Sequence, residues 1–218
     1  NFSMIEDDRK LLSEYESYSQ FVEAQKSRYP HLHLKFEVIE DRSIGPNAFA
    51  IAGGTIMVTK QLMDQVGDPR FVKAILLHEI GHVEKNHVLQ NIIQRAGLSL
   101  FLFAIVGADD ISAIPLMVMT NSYSRDLERE ADRFAAKAML ANNQQPAILA
   151  EALQKLTGHR KSGSTEQQVE SFLSTHPLTE ERVSYLKKYG DDQERGDRLR
   201  DMDDDDRSLK SEQESTPK

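Results

Sequence analysis

The chain has 218 residues, of which 39% are hydrophobic and 28% are charged, and its formal net charge is -8. This length allows one domain with a substantial core, together with tails. The acidic balance argues against a nucleic-acid-binding protein, because contacts to phosphates require a basic surface. The chain contains no cysteine, which excludes disulfides and thiolate ligands and leaves histidine and carboxylates as metal ligands.

The N-terminal region predicts one helix followed by one strand. The chain begins with Asn-Phe-Ser, without an initiator methionine or an apolar leader, so we expect a mature or trimmed product whose signal peptide or anchor lay upstream. Apolar residues at helical spacing predict a helix over 4–28, ended by Pro30. Alternating apolar and polar residues predict a half-buried strand over 32–38. We interpret His31 and His33 as surface residues rather than metal ligands.

Two short apolar runs joined by Gly53 and Gly54 predict a β-hairpin over 47–59. One interpretation is an ordinary hairpin of a small sheet. The functional interpretation is that its first strand forms a sheet edge to which a peptide substrate adds as an extra strand. The substrate-binding residues are then Asn47, Ala48 and Phe49.

Asp68 and Pro69 are a helix start signal, and apolar residues at helical spacing predict that this helix continues toward Gly97. The helix contains His78, Glu79 and His82. Histidines four positions apart share one helix face and can bind one metal ion. The pattern is the HExxH signature of zinc peptidases, in which the glutamate acts as general base on the attacking water.

The next region contains two apolar runs, 98–106 and 114–119, each shorter than the roughly 20 residues of a spanning helix. We expect a buried or surface-docked helical hairpin over 98–119. The alternative is contact with a membrane surface or with an envelope complex.

A further helix is predicted over 121–140, and it offers the third metal ligand. A hydrolytic zinc site commonly has three protein ligands and one open position. The helix contains four carboxylates, any of which can complete the set: Asp126, Glu128, Glu130 and Asp132.

The C-terminal region predicts a helix that opens at Pro146, a polar loop over 158–164 and a chain break at His176-Pro177. Beyond residue 190 the chain is acidic and almost free of apolar residues, so we expect a disordered tail over 191–218. Residues 1–190 are then a single metallopeptidase domain.

Residues 124–132 read SRDLEREAD, and with HEIGH they resemble the SRxxExxAD signature of the HtpX-like and CAAX prenyl protease-like zinc metallopeptidases. Two other motifs of that family match in the right order. They are NAFA at 47–50 followed by Gly-Gly, and STHP at 174–177 followed by Arg182. The resemblance covers residues 45–187. Its members are gluzincins, which implies an α+β fold that is mostly helical, with a small sheet and the HExxH helix at its centre.

By position, the resemblance implies that Glu128 is the third zinc ligand beside His78 and His82, with one zinc ion per chain. Glu79 then activates a zinc-bound water. Asp132 is expected to accept the free ring N–H of a ligating histidine, which fixes the tautomer. Glu130 faces elsewhere.

His176 has two expected roles. As the histidine of the family's His-Pro motif it is our candidate donor to the oxyanion of the reaction. In BepA-like members the equivalent histidine can instead sit on the zinc as a fourth ligand and keep the enzyme inactive. His87 is expected to be a surface residue or a support for the site. Arg125 and Arg182 are expected to pair with carboxylates around the site or at the surface.

The function implied by the resemblance is zinc-dependent endopeptidase activity on protein or peptide substrates in cell-envelope protein quality control. The several spanning helices of HtpX and the prenyl proteases have no counterpart in this sequence. The closest resemblance is therefore to the soluble BepA-like and Oma-like envelope members. It implies localisation in the bacterial periplasm or the membrane-associated cell envelope. The alternative function is a latent, zinc-regulated, chaperone-like adaptor for envelope protein assembly.

Overall fold

The computed structural model of the protein describes residues 16–41, 43–94, 122–160 and 172–190. Eight helices occur in these ranges. They are α1 over 16–28, α2 Lys60–Val66, α3 Pro69–Glu84, α4 over 87–94, α5 Arg125–Leu140, α6 Ala147–Arg160, α7 Phe172–Thr175 and α8 over 180–190. The predicted segment 98–119 and the predicted tail 191–218 lie outside the described residues.

Three short strands form one sheet, and they are β1 Lys35–Ile39, β2 Ala48–Ile51 and β3 Thr55–Thr59. The spatial order is β1-β3-β2, with β3 parallel to β1 and antiparallel to β2. The predicted hairpin is present. Its turn requires glycine, because Gly54 has φ +91° and an added Cβ would lie 2.2 Å from the carbonyl oxygen of Leu32. The predicted strand over 32–38 starts late, because Pro30–Leu32 forms a 3-10 turn.

The HExxH helix α3 begins where the sequence predicts, since Asp68 accepts a hydrogen bond from the backbone N–H of Arg70 at 2.8 Å. It packs against α5, α6 and β2. Gly81 lies where α3 meets α5, and a Cβ there would be 3.0 Å from the Ala131 backbone. A larger residue would therefore separate the two helices that provide the site.

The predicted continuation of this helix to Gly97 is wrong. Helix α3 ends at Glu84, and Asn86 adopts a left-handed conformation with φ +56° before α4 begins at residue 87. Asparagine tolerates this conformation better than most residues. The apolar spacing continues across the break because Val83 and Val88 both face buried surroundings, so periodicity alone does not reveal the turn.

The remaining helices complete the arrangement around α3. The Ser124 side chain caps α5 by accepting from the backbone N–H of Leu127, and α6 continues to Arg160, beyond the predicted start of a loop at residue 158. The core lies between α3, α5, α6 and the sheet. The predicted mostly helical fold with a small sheet and a central HExxH helix is confirmed. Among the described residues, no helix combines the length and apolar character needed to cross a membrane.

Candidate metal centre

Four buried side chains direct ligand atoms toward one point between α3, α5 and the end of α7. They are His78, His82, Glu128 and His176, and these ligand atoms all lie within 4.8 Å of one another. We call these four side chains the ligand group. The Nε2 atoms of His78 and His82 are 3.1 Å apart, and each lies 3.4 Å from an oxygen of Glu128. His176 Nδ1 lies 3.0 Å from Glu128 Oε1 and 3.3 Å from His78 Nε2.

The spacing and the chemistry of the ligand group fit a tetrahedral metal ion. Ligand atoms about 2.0–2.1 Å from a tetrahedral zinc ion lie roughly 3.3 Å from one another. Five separations, taken over both oxygens of Glu128, run from 3.0 to 3.4 Å, and the four ligand atoms all lie within 4.8 Å of one another. Imidazole nitrogen and carboxylate oxygen are ligand types that zinc accepts. The residues present therefore fit a zinc ion.

The two histidines of α3 have opposite electrostatic surroundings. Burial holds the pKa of His82 well below its usual range, so its imidazole is neutral. Burial also opposes a charge on His78, yet hydrogen bonds with Asp132 and Glu128 raise the pKa of its imidazole to about 9. Asp132 Oδ1 lies 3.0 Å from His78 Nδ1. The buried carboxylates thus attract positive charge to the position of the ligand group.

Arg182 holds the two buried carboxylates of α5 in place. Its Nε and Nη2 atoms donate to Asp132 at 2.6 and 2.8 Å, and Nη1 contacts Glu128 and donates to the Pro177 carbonyl oxygen at 3.0 Å. Burial opposes ionisation of Glu128, but the charges of His176 and Arg182 hold the pKa of Glu128 well below its usual range. The sequence was compatible with Arg182 at the site or at the surface. The structure places Arg182 at the site, where 3% of the residue's surface is exposed.

Glu79 lies beside the ligand group on α3 and is completely buried. No side chain of a described residue donates a hydrogen bond to its carboxylate oxygens, and Oε1 lies 3.4 Å from His176 Nε2. Burial raises the pKa of Glu79, against the opposing influence of nearby groups that include His176 and the Ala50 backbone N–H. A carboxyl group whose pKa is raised by burial holds a proton more readily than an exposed one, which suits a group that accepts and returns a proton.

His87 is fully buried at the start of α4, so of its two expected roles the surface role is wrong and support for the site remains. Its Nδ1 atom lies 3.0 Å from His82 Nδ1, and its Nε2 atom lies 3.4 Å from Glu130 Oε2. Glu130 itself is half exposed and points away from the ligand group. The contact between His82 and His87 depends on the turn between α3 and α4, which the sequence analysis did not predict.

Tyr123 is a site residue that the sequence analysis missed. Its ring stacks on His82 with centroids 4.0 Å apart, it is 5% exposed, and its backbone N–H donates to the Thr175 carbonyl oxygen at 2.9 Å. Its position directly before the N-cap of α5, the helix that carries Glu128, is the sequence feature that could have indicated a place near the site. Arg125, by contrast, is exposed at the first position of α5.

Among the described residues, strand β2 is an edge strand of the sheet, and it packs against α3. Thr59 N donates to Asn47 O at 2.8 Å, so the alternation of an antiparallel pair turns the backbone groups of Ala48 and Ala50 to the free edge. The side chains of Asn47, Ala48 and Phe49 are at most 3% exposed. A peptide at this edge would therefore meet backbone groups, and those of Ala50 lie near Glu79.

Comparisons with known proteins agree with this geometry. The sequence pattern described as peptidase family M48 matches residues 15–190. The chain is 26% identical over 163 residues to mitochondrial metalloendopeptidase OMA1 of Saccharomyces cerevisiae, covering 72% of this chain and 47% of that protein. It is 29% identical over 150 residues to metalloprotease LoiP of Escherichia coli, covering 65% of this chain and 57% of that protein.

A third relative is the beta-barrel assembly-enhancing protease of Yersinia pestis, 26% identical over 153 residues, which cover 63% of this chain and 31% of that protein. The chain thus spans less than two thirds of the length of each of these relatives. The family match covers most of the chain and confirms the resemblance stated from the motifs. The chain belongs to peptidase family M48.

Proposed function

We propose that this chain is a zinc-dependent metalloendopeptidase that hydrolyses peptide bonds of protein substrates. The observation that carries the proposal is the buried ligand group next to Glu79, whose carboxylate oxygens have no side-chain hydrogen-bond donor among the described residues. A buried carboxylate without a side-chain partner is costly unless it serves another group. Membership of a peptidase family supports the same activity.

In this proposal His78, His82 and Glu128 hold one zinc ion per chain. When bound, zinc supplies a Lewis acid that polarises the scissile carbonyl and lowers the pKa of water. Asp132 accepts the Nδ1–H of His78, which leaves Nε2 free to ligate. Arg182 keeps Glu128 and Asp132 ionised by contacting both carboxylates.

Glu79 has the role of general base. It accepts the proton of the attacking water and then returns that proton to the leaving amine. The free edge of β2 orients the substrate, because backbone groups of Ala48 and Ala50 can pair with an extended peptide beside Glu79. Asn47 and Phe49 support this edge from buried positions.

His176 decides whether the site is open. Its Nδ1 atom belongs to the ligand group, which supports a resting arrangement with four protein ligands. A catalytic zinc site needs one open position, so His176 has to leave before hydrolysis begins. This arrangement favours latency, and it is the observation that favours the second candidate function, a zinc-regulated chaperone-like adaptor. The competing role for His176 is donation to the oxyanion.

The biological setting is proposed from the relatives alone. One relative is named for enhancing β-barrel assembly, which supports a role in cell-envelope protein quality control, in the bacterial periplasm or at the membrane. Contact with a membrane surface or an envelope complex through 98–119 is part of this proposal. The proposal also includes the assignment of residues 1–190 as one domain and of residues 191–218 as an acidic tail.

The proposal is tested by metal analysis and by cleavage of an unfolded protein such as casein. The purified chain should bind one zinc ion, and chelator should remove both the zinc and the cleavage. Glu79→Gln should keep the zinc and lose activity by roughly 100-fold or more, since general base catalysis contributes about that much. Equal cleavage by wild type and Glu79→Gln would refute the catalytic assignment.

A further inference from the structure

We propose that His87 is a positioning residue that fixes the tautomer and orientation of the ligand His82 through a chain of hydrogen bonds ending at Glu130. This inference deepens the proposed function and rests on His82 binding zinc through Nε2. Two contacts carry it: His82 Nδ1 to His87 Nδ1 at 3.0 Å, and His87 Nε2 to Glu130 Oε2 at 3.4 Å.

The donors and acceptors in this series of hydrogen bonds follow from the chemistry of imidazole. A neutral histidine that ligates through Nε2 carries its proton on Nδ1. His82 Nδ1–H therefore donates, and His87 Nδ1 has to accept. The proton of neutral His87 is then on Nε2, from which it donates to the Glu130 carboxylate. Each nitrogen in this series of hydrogen bonds is either a donor or an acceptor. The other neutral tautomer of His87 does not satisfy both contacts.

The two histidines of α3 are held by different partners. His78 presents its Nδ1 atom to a buried carboxylate, Asp132, at 3.0 Å. His82 presents its Nδ1 atom to a neutral imidazole, which is backed by the half-exposed carboxylate of Glu130. Burial lowers the pKa of His87, in keeping with a neutral ring. His82 is thus oriented without a further buried carboxylate beside Asp132 and Glu79.

The turn between α3 and α4 makes this contact. In a continuous helix, a residue five positions after His82 would be rotated by about 140° around the axis and would face another direction. The left-handed Asn86, with φ +56°, ends α3 and starts α4, so that His87 returns to His82. The His82 and His87 ring centroids are 5.0 Å apart at 74°, an edge-on approach that suits a hydrogen bond between ring nitrogens.

The test compares two amide substitutions of His87 on the purified full-length chain. His87→Asn places an amide oxygen near the position of Nδ1, where it can still accept from His82. His87→Gln places its amide near the position of Nε2, where it can reach Glu130 but not His82. Zinc affinity is measured by competition with a chromophoric chelator. Thermal unfolding in excess chelator reports folding independently of zinc.

We expect His87→Gln to weaken zinc affinity by roughly 10–100-fold, the usual effect of losing the partner of a ligating histidine. His87→Asn should retain affinity within about threefold of wild type, and Glu130→Gln should cause a smaller loss than His87→Gln. The matched control is His31→Asn, an exposed histidine that pairs with Glu84 at 2.8 Å, and it should leave affinity unchanged.

Equal affinities for His87→Gln and wild type would overturn the inference, as would equal losses for the asparagine and glutamine variants. If His87→Gln does not fold, a wild-type zinc affinity in Glu130→Gln would overturn the proposed role of the hydrogen bond between His87 and Glu130. A wild-type chain that binds no zinc would instead contradict the proposed function, so the two failures are distinguishable.

Discussion

Replacing Arg182 by leucine should reveal how strongly the site depends on this one cation. Arg182 is 3% exposed and contacts two carboxylates, Glu128 and Asp132, which are themselves at most 1% exposed. The substitution leaves both carboxylates buried without their cation. Breaking a buried ion pair by removing one partner costs about 3–5 kcal/mol. For a chain of this size, that loss corresponds to a fall in the midpoint of thermal unfolding of roughly 6–20 °C.

The assay is urea unfolding followed by circular dichroism in excess chelator, so that zinc does not contribute. The matched control is Arg129→Leu. Arg129 also contacts two carboxylates, Asp126 and Glu181, but its side chain is 48% exposed, and surface pairs contribute about 0–1 kcal/mol. The loss in Arg182→Leu should shrink at pH 5, because protonation of the uncovered carboxyls relieves part of the cost. Equal losses for the two arginine variants would refute the reasoning.

Two further predictions concern a ligand and a helix cap. His176→Ala should increase casein cleavage by roughly tenfold while zinc remains bound, because it removes a ligand that closes the site in most molecules; slower cleavage with zinc retained would instead assign the oxyanion role to His176. Asp68→Asn keeps a capping side chain on α3 but loses the pair with Arg70, whose hydrogen bond lowers the pKa of Asp68. The contribution of that pair, below about 1 kcal/mol, is present above about pH 4 and lost as the pH falls through the folded-state pKa of Asp68. Unfolding free energies of wild type and variant should therefore differ at pH 7 and converge near pH 3, and a constant difference would contradict this.

Local signals in the sequence predicted much of the scaffold. Asp68 and Pro69 predict the start of α3 because capping and proline preference act within one turn. Gly53 and Gly54 predict the hairpin because its turn needs positive φ. The HExxH spacing predicts that His78 and His82 share a face, and the structure brings their Nε2 atoms to 3.1 Å.

These local patterns do not predict contacts between residues that are far apart in the sequence. Arg182 meets Asp132 across 50 positions of the chain, and nothing near either residue distinguishes this pair from a surface pair. His87 was equally ambiguous, because its place depends on one backbone conformation at Asn86 rather than on apolar spacing. Glu128 and Asp132 were selected among four carboxylates by family resemblance, since helical spacing alone left all four available.

The buried charges of the site suit a cation, which supports the metal proposed above. With neutral imidazoles, Glu128 and Asp132 carry two negative charges, because their pKa values are lowered, and Arg182 supplies one positive charge. Burial raises the pKa of Glu79, which adds a third negative charge when it is ionised. The remaining negative charge is costly in a buried environment. The raised pKa of His78, about 9, reflects this excess, because its imidazole takes up a proton where the carboxylates attract positive charge. A zinc ion would supply two positive charges at the same point, so the charges of the site support the zinc proposed from the spacing of the ligand atoms.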